Sequence, residues 1–153
     1  MGGEVQVLLV SSSGGVLLDL LALEPWWSRH NPVWAVESAP DTRSALAHVA
    51  TVHWLAPPGR RPLRLAVSLR RALQILRAEQ PDVVVSAGSS LAVPFFAAAR
   101  ITRTPTVWVW TLNLVRTPGI SGRMCAAMAS EILLQRESMR SVRPRGVFVG
   151  ELY

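Results

Sequence analysis

Short, nearly unbroken apolar runs recur along the chain, separated by stretches in which apolar positions return every third or fourth residue. The first run, Val5–Val10, ends in Ser11-Ser12-Ser13-Gly14-Gly15, and Val16–Trp27 then carries a helical period. Unbroken apolar runs mark parallel strands buried on both faces, because crossover helices cover each side. The same pattern predicts strands at Val33–Glu37, Val52–Leu55, Val83–Ser86, Thr106–Trp110 and Val147–Val149. Between them it predicts a helix capped by Asp41 and running through Ala50, then helices over Leu63–Glu79, Leu91–Ile101 and Gly122–Ser138. In Leu63–Glu79 the residues Leu65, Leu69, Leu73 and Leu76 form an apolar stripe, with Arg64, Arg70, Arg71 and Arg77 away from it. Ala56-Pro57-Pro58-Gly59 is a turn or loop by its composition.

Strands alternating with helices imply an α/β fold: a Rossmann-like open parallel sheet with right-handed crossovers and helices on both faces. The length of 153 residues suits one domain, residues 1–153. Half of the residues are apolar and 17% are charged, which points to a sandwiched sheet or to a surface that meets a partner or a bilayer. No apolar run approaches the ~20 residues of a membrane-spanning helix; Leu91–Ala99 is interrupted by Pro94 and followed by Arg100. Met1-Gly2-Gly3-Glu4 lacks the positive segment of a signal peptide, so a cytoplasmic location is expected.

The net charge is +6, and all sixteen basic residues are Arg. The planar guanidinium suits phosphates and carboxylates, so an anionic lipid surface, a phosphate-bearing substrate and nucleic acid all fit the charge. Nucleic acid fits least: the basic residues are dispersed, and no RNA- or DNA-binding signature is present. With one cysteine, Cys125, and no Cys/His cluster at zinc spacing, neither a disulfide nor a metal is expected, and no cofactor is predicted.

In an open parallel sheet, ligands bind outside the carboxyl ends of the strands. Two small-residue loops fall on that edge, Ser11–Gly15 and Ser86–Ser90, and each precedes a helix whose free N–H groups favour anions. Glycine there removes the Cβ that would hold a ligand off the backbone. Ser12, Ser13, Gly14, Gly15, Gly88, Ser89 and Ser90 are thus candidate contacts for a bulky, phosphorylated ligand. The competing view is that Gly14-Gly15 only turns a strand tightly into a helix. The first loop is neither G-x-G-x-x-G nor a P-loop, so no nucleotide motif stands behind it.

Taken together, "VSSSGGVLLDLL", "PDVVVSAGSSLAVPFFAAAR", "TPTVWVW" and "GVFVGELY" resemble the acceptor-side subunit of two-component N-acetylglucosaminyl-type glycosyltransferases. In eukaryotes that subunit takes part in making lipid-linked chitobiose, and in bacteria its PssD-like counterpart serves capsule and exopolysaccharide assembly. The resemblance implies one half of a GT-B glycosyltransferase, equivalent to the N-terminal, acceptor-binding domain of MurG-like enzymes. It also implies a separate donor-binding partner chain that holds a UDP-sugar, and a polyprenyl-diphosphate-linked acceptor. The family's extreme C-terminus packs on the partner, which assigns Val147, Phe148, Val149, Gly150, Glu151, Leu152 and Tyr153 to that interface.

The chain departs from the family at places that bear on chemistry. Val16 stands where the family has His after Gly-Gly, and a valine cannot take a proton from an acceptor hydroxyl. Trp110, Thr111 and Leu114 stand where the family has Glu, Ser and Arg, while Asn113, Arg116 and Arg123 offer polar grip nearby. Asp19, one turn beyond Gly15, is either a substitute base or an ordinary solvated carboxylate. His30, His48 and His53 show no metal spacing.

Arg60, Arg61 and Arg64 open a basic amphipathic helix that suits an anionic bilayer or an ordinary solvated face. Trp26 and Trp27, beside Arg29, are either interfacial anchors or residues buried beneath a partner. The function expected is therefore a subunit of a heteromeric glycosyltransferase, peripheral at the inner face of the plasma membrane; the alternative is a non-catalytic subunit that recruits the donor-binding chain to the membrane.

Overall fold

In a computed structural model that describes residues 3–56, 61–111, 119–141 and 145–150, the chain forms a seven-stranded, all-parallel sheet. In chain order the elements are β1 (Gln6–Ser11), α1 (Gly15–Leu21), α2 (Glu24–Trp27), β2 (Asn31–Glu37), α3 (Pro40–Ala45), β3 (Val52–Leu55), α4 (Pro62–Glu79) and β4 (Val83–Ser86). They continue with α5 (Ala92–Thr102), β5 (Thr106–Trp110), α6 (Ile120–Met128), β6 (Glu131–Leu134), a 3-10 turn at Glu137–Ser141 and β7 (Val147–Phe148).

The strand order is β3-β2-β1-β4-β5-β6-β7. From β1 the chain winds outward to β3, returns through α4 to β4 beside β1, and winds the other way. Right-handed crossovers then place α1–α3 on one face and α4–α6 on the other. Two cores follow from the two-residue side-chain period of the strands. Leu8, Val10, Val84, Trp108 and Ile132 face α4–α6 with Ile75, Leu76, Phe95 and Phe96. Val7, Leu9, Trp34, Val36, Val85 and Val109 face the other way, with Leu17, Leu20 and Trp27. Edge-to-face aromatic pairs lie in each layer: Trp27 against Trp34 with centroids 5.6 Å apart, and Phe96 against Trp108 at 6.0 Å.

Three predicted elements differ. The helix expected over Val16–Trp27 is two helices, because Pro25 lacks an N–H and its ring conflicts with the carbonyl four residues back. Proline is at home in a first turn, so a new helix begins at Glu24. Asp41 is not the cap of α3. Ala39 holds that position, and Thr42 does the work: its hydroxyl accepts the Ala39 N–H at 3.0 Å and donates to the Glu37 carbonyl at 2.7 Å.

The helix expected over Gly122–Ser138 ends at Met128, since Ala129 is extended and Ser130 is tied to β5. The Ser130 hydroxyl accepts the Thr106 N–H, and the Ser130 N–H reaches the Thr106 hydroxyl, both at 3.0 Å. Glu131–Leu134 then becomes a strand between β5 and β7.

The stripe on α4 is only partly seated. Ala72, Ile75 and Leu76 are buried, but Leu63, Leu65 and Val67 stand 77%, 43% and 62% exposed beside the exposed Arg61 and Arg64. The first turns of α4 therefore present an apolar and basic surface. Among the described residues, no helix is long and apolar enough to cross a membrane.

Candidate functional site

The strand order reverses between β1 and β4, and there the loops leaving the two strands diverge to opposite faces of the sheet. A crevice must open at such a switch point. The buried Ser86 hydroxyl sets its width: it lies 2.8 Å from the Val10 carbonyl and 3.1 Å from that of Gly88, and accepts the Gly88 N–H at 3.3 Å. One hydroxyl thus clamps the end of β1 to the loop after β4.

The crevice is a cleft of about 380 Å³, within the range of small-molecule sites. Its first wall is the start of α1, with Gly15, Val16 and Asp19. Its second is the loop after β4, from Ala87 to Ser90. Trp108 and Thr111 of the β5 end, with Gly119, Ser121 and Gly122 at the start of α6, close the third side. The openings of α1, α5 and α6 all lie at this edge, each with free N–H groups and partial positive charge.

Two backbone positions show why small residues are needed. Gly14 has φ of +87° and Gly88 of +148°, conformations that L side chains rarely adopt. Ser89 holds φ of +98° despite its Cβ, a strained state of the kind that collects at ligand sites. The buried Ser89 hydroxyl and the buried Trp108 Nε1 have no hydrogen-bond partner among the described residues. Buried polar groups are nearly always paired, so two residues that line the cleft each carry an unsatisfied polar atom. Asp19, 1% exposed, adds a carboxylate.

Of the residues the sequence singled out, Gly15, Gly88, Ser89, Ser90 and Asp19 come together in this cleft. Asp19 is not a solvated surface residue. Ser12, Ser13 and Gly14 lie on the adjoining loop without lining the cleft; the Gly14 N–H donates to the Asp41 carboxylate at 3.0 Å, which anchors that loop to α3. Asn113 and Arg116, like Leu114, lie outside the described residues. Arg123 is exposed on α6.

The sequence pattern does not single out Trp108 or the α6 opening, and it gives Thr111 only as a departure from the family. Thr111 directly follows β5 and Gly119 caps α6, so the placing of ligands beyond the carboxyl ends of strands reaches both.

The other two groups divide. Val147, Phe148 and Val149 are 46%, 39% and 57% exposed at the sheet's edge; Gly150 follows them, and Glu151, Leu152 and Tyr153 lie outside the described residues. Arg61 and Arg64 are exposed, and Arg60 is not described. Trp26 is half-buried, edge-on to His30 at 5.5 Å. Trp27 must be withdrawn as a bilayer contact: it is 4% exposed, and its Nε1 donates to the Leu20 carbonyl at 2.9 Å. Among the described residues, no cluster of His, Cys, Asp or Glu is arranged to hold a metal ion.

A doubly wound parallel sheet with a glycine-lined cleft at its switch point defines the chain as a Rossmann-like α/β domain, with the fold of the N-terminal half of GT-B structures. Its sequence is 36% identical over 85 residues to the UDP-N-acetylglucosamine--N-acetylmuramyl-(pentapeptide) pyrophosphoryl-undecaprenol N-acetylglucosamine transferase of Symbiobacterium thermophilum, an overlap covering 56% of this chain and 22% of that protein. The chain thus spans about a fifth of that curated relative's length. No family model matches.

Among solved structures, it superimposes on UDP-N-acetylglucosamine 2-epimerase from Rickettsia bellii with a TM-score of 0.75 at 10% identity, covering 98% of this chain and 46% of that one. It superimposes on MurG from Acinetobacter baumannii with a TM-score of 0.71 at 15% identity, covering 96% and 44%. These two likenesses concern the fold.

Proposed function

We propose that this chain is the acceptor-binding subunit of a heteromeric glycosyltransferase. It receives a lipid-diphosphate-linked acceptor at the cytoplasmic face of the membrane, and a donor-binding partner chain supplies a UDP-sugar for transfer in polysaccharide or glycolipid biosynthesis. The observation that carries this reading is the cleft: a switch-point crevice walled by Gly15, Gly88 and three helix openings, and lined by Asp19, Ser89 and Trp108. Helix N-termini and unpaired donors suit a diphosphate and sugar hydroxyls. Homology to a transferase whose name specifies a pyrophosphoryl-undecaprenol acceptor supports the same ligand class.

The exposed apolar and basic start of α4 supports peripheral attachment, with Leu63, Leu65 and Val67 entering the interface and Arg61 and Arg64 meeting anionic headgroups. Transfer by this machinery deprotonates the acceptor hydroxyl as it attacks the anomeric carbon, while the nucleoside diphosphate leaves toward the partner. Asp19 is the carboxylate within the cleft that can accept that proton. The cleft wall at Val16 and the end of β5 at Trp110 favour a second reading, a recruiting subunit without chemistry of its own, since neither side chain accepts a proton.

The test is reconstitution. The chain and a donor-lobe glycosyltransferase chain from the same operon are purified separately and together, then given UDP-N-acetylglucosamine and a polyprenyl-diphosphate sugar. Transfer only by the pair upholds the proposal. Full transfer by the donor chain alone on a soluble acceptor supports recruitment, and turnover by this chain alone overturns both.

A further inference from the structure

The two ends of the cleft are chemically unlike. At the α1 end the donors of the first loop are already used. The Ser11 hydroxyl donates to the Ser12 carbonyl at 2.8 Å, and the Ser12 hydroxyl to the Ser13 carbonyl at 3.4 Å. The Gly14 N–H donates to the Asp41 carboxylate at 3.0 Å. Asp41 is exposed, and its charge stands at the head of α1, the place an incoming anion would take. Asp19 puts a second carboxylate in the same wall.

The α6 end is the reverse. Gly119 caps this nine-residue helix, and Gly119, Ser121 and Gly122 line the cleft. No acid lies in the first turn. The N–H groups of Ile120, Ser121 and Gly122 precede the first bond of the helix, which runs from the Arg123 N–H to the Gly119 carbonyl at 3.1 Å. Arg123 lies one turn on from Gly119 and is exposed, with no ion pair among the described residues. Helical side chains lean toward the N-terminus, which favours the reach of a guanidinium to the opening. A second observation belongs to this end. Trp108, 0% exposed and lining the cleft, sits in the core layer on which α6 packs, and its indole N–H has no partner among the described residues.

Resting on the reading of this cleft as a ligand site under the proposed function, we propose that the ligand's diphosphate is held at the opening of α6. The first-turn N–H groups and Arg123 bind it, and Asp41 excludes it from the first loop. A diphosphate at the head of α1 would meet a like charge at hydrogen-bond range in a partly desolvated crevice, and would find the Gly14 N–H taken. At α6 it meets a helix N-terminus and a guanidinium, a pairing of charge-assisted hydrogen bonds. The neutral, hydroxyl-bearing part of the ligand then lies toward Gly15, Val16 and Asp19, where a carboxylate can accept a hydroxyl proton. The cleft thus fixes the direction in which its ligand lies.

The test follows the backbone amides of the full, isotope-labelled chain by NMR during titration with inorganic pyrophosphate, with sulfate at equal ionic strength as the control. Saturable shifts are expected at Ile120, Ser121 and Gly122, with Gly15 and Val16 unmoved. Arg123→Gln is expected to weaken binding by roughly fivefold or more. Asp41→Asn keeps an acceptor for the Gly14 N–H and removes the charge, so Gly15 and Val16 are expected to join the response. Geranyl diphosphate and UDP are then compared at the same amides. Tighter binding of the first assigns the diphosphate to a lipid-linked ligand and of the second to a nucleotide, and either result upholds the subsite.

Shifts centred on Gly14, Gly15 and Val16 in the unaltered chain place the diphosphate on the first loop and overturn the inference. So does the lack of any saturable response, or an equal response to sulfate, which marks a general attraction of anions to a basic chain. Unmoved Gly15 and Val16 amides in Asp41→Asn remove Asp41 as the excluding charge, with the same result. None of these outcomes touches the two-chain function, which stands or falls on the reconstitution.

Discussion

The side chain of Val16 closes on Gly88 across the cleft: a Cβ built at Gly88 stands 3.5 Å from Val16 Cγ2. The start of α1 and the loop after β4 therefore leave room between them for no more than a methyl group, and the side chain that faces Gly88 is apolar. Space alone would admit alanine at Gly88, since 3.5 Å is ordinary contact, but φ of +148° would not. We expect Gly88→Ala to lower stability by about 1–2 kcal/mol through backbone strain. Urea unfolding measures the loss; a change within error would show that the loop relaxes freely.

Asp19 gives a sharper test of chemistry. It is 1% exposed and lines the cleft on the same helix face as Val16, three residues on. If it takes the acceptor's proton, Asp19→Asn in the reconstituted pair should lower kcat by roughly 10²–10⁴ with little change in acceptor affinity. A Val16→His, Asp19→Asn double variant should recover part of the rate, because the imidazole returns a base to the same wall. An unaltered kcat in Asp19→Asn would remove Asp19 from the mechanism and favour the recruiting role.

The clamp made by Ser86 predicts a structural effect that spreads to binding. Ser86→Ala leaves the Val10 and Gly88 carbonyls without this hydroxyl and frees the loop after β4. A buried hydrogen bond lost in this way costs about 1–3 kcal/mol. Thermal unfolding should show it, together with weaker acceptor binding by calorimetry; loss of stability with unaltered binding would separate the clamp from the site.

Much of this architecture is written in the sequence, and the failures share a cause. Val7–Val10 is buried on both faces, and Val84, Val85, Trp108 and Val109 are buried at the centre of their strands, so these patterns admit little else, and the loops after β1 and β4 lead directly to the cleft. Glu131–Leu134 is hidden in the sequence because its three-residue apolar run, Ile132–Leu134, beside a helix continues the helical pattern; only pairing with β5 and the Ser130–Thr106 link make it a strand. Leu65 fits the α4 stripe by spacing, yet it lies in turns that rise clear of the sheet. Trp27 followed the rule that tryptophan beside arginine marks an interface, and the core claimed it. Periodicity reports what a face could bury; the partner layer decides what it does bury.

Gly146 offers a test of packing at the far edge. A Cβ there would come within 2.5–2.8 Å of Leu134 Cγ, Cδ1 and Cδ2, and Leu134 is 0% exposed. The leucine has little room to yield, so Gly146→Ala should destabilise by about 1–3 kcal/mol through overpacking. Gly146→Ala combined with Leu134→Val should recover part of the loss, which chemical denaturation of the four proteins of the cycle would measure.

Cys125 lies in the layer between α6 and the sheet, and burial pushes its thiol up from 9.0 to about 12. The physical cause is that a thiolate there would lose its hydration with nothing to replace it. In the unfolded chain the same thiol ionises near its ordinary value, so between pH 9 and 12 the unfolded state has released a proton that the folded state retains. Stability must then fall as pH rises through this window, at up to about 1.4 kcal/mol per pH unit, and is unaffected by this group below pH 9. Cys125→Ala removes the dependence at the cost of a small cavity. The variant should therefore be less stable than the parent at pH 7, and the gap should close as pH rises from 9 toward 12. Urea unfolding at pH 7, 9, 10 and 11 measures the gap, and a constant difference across the series would mean that the thiolate is accommodated in the folded core.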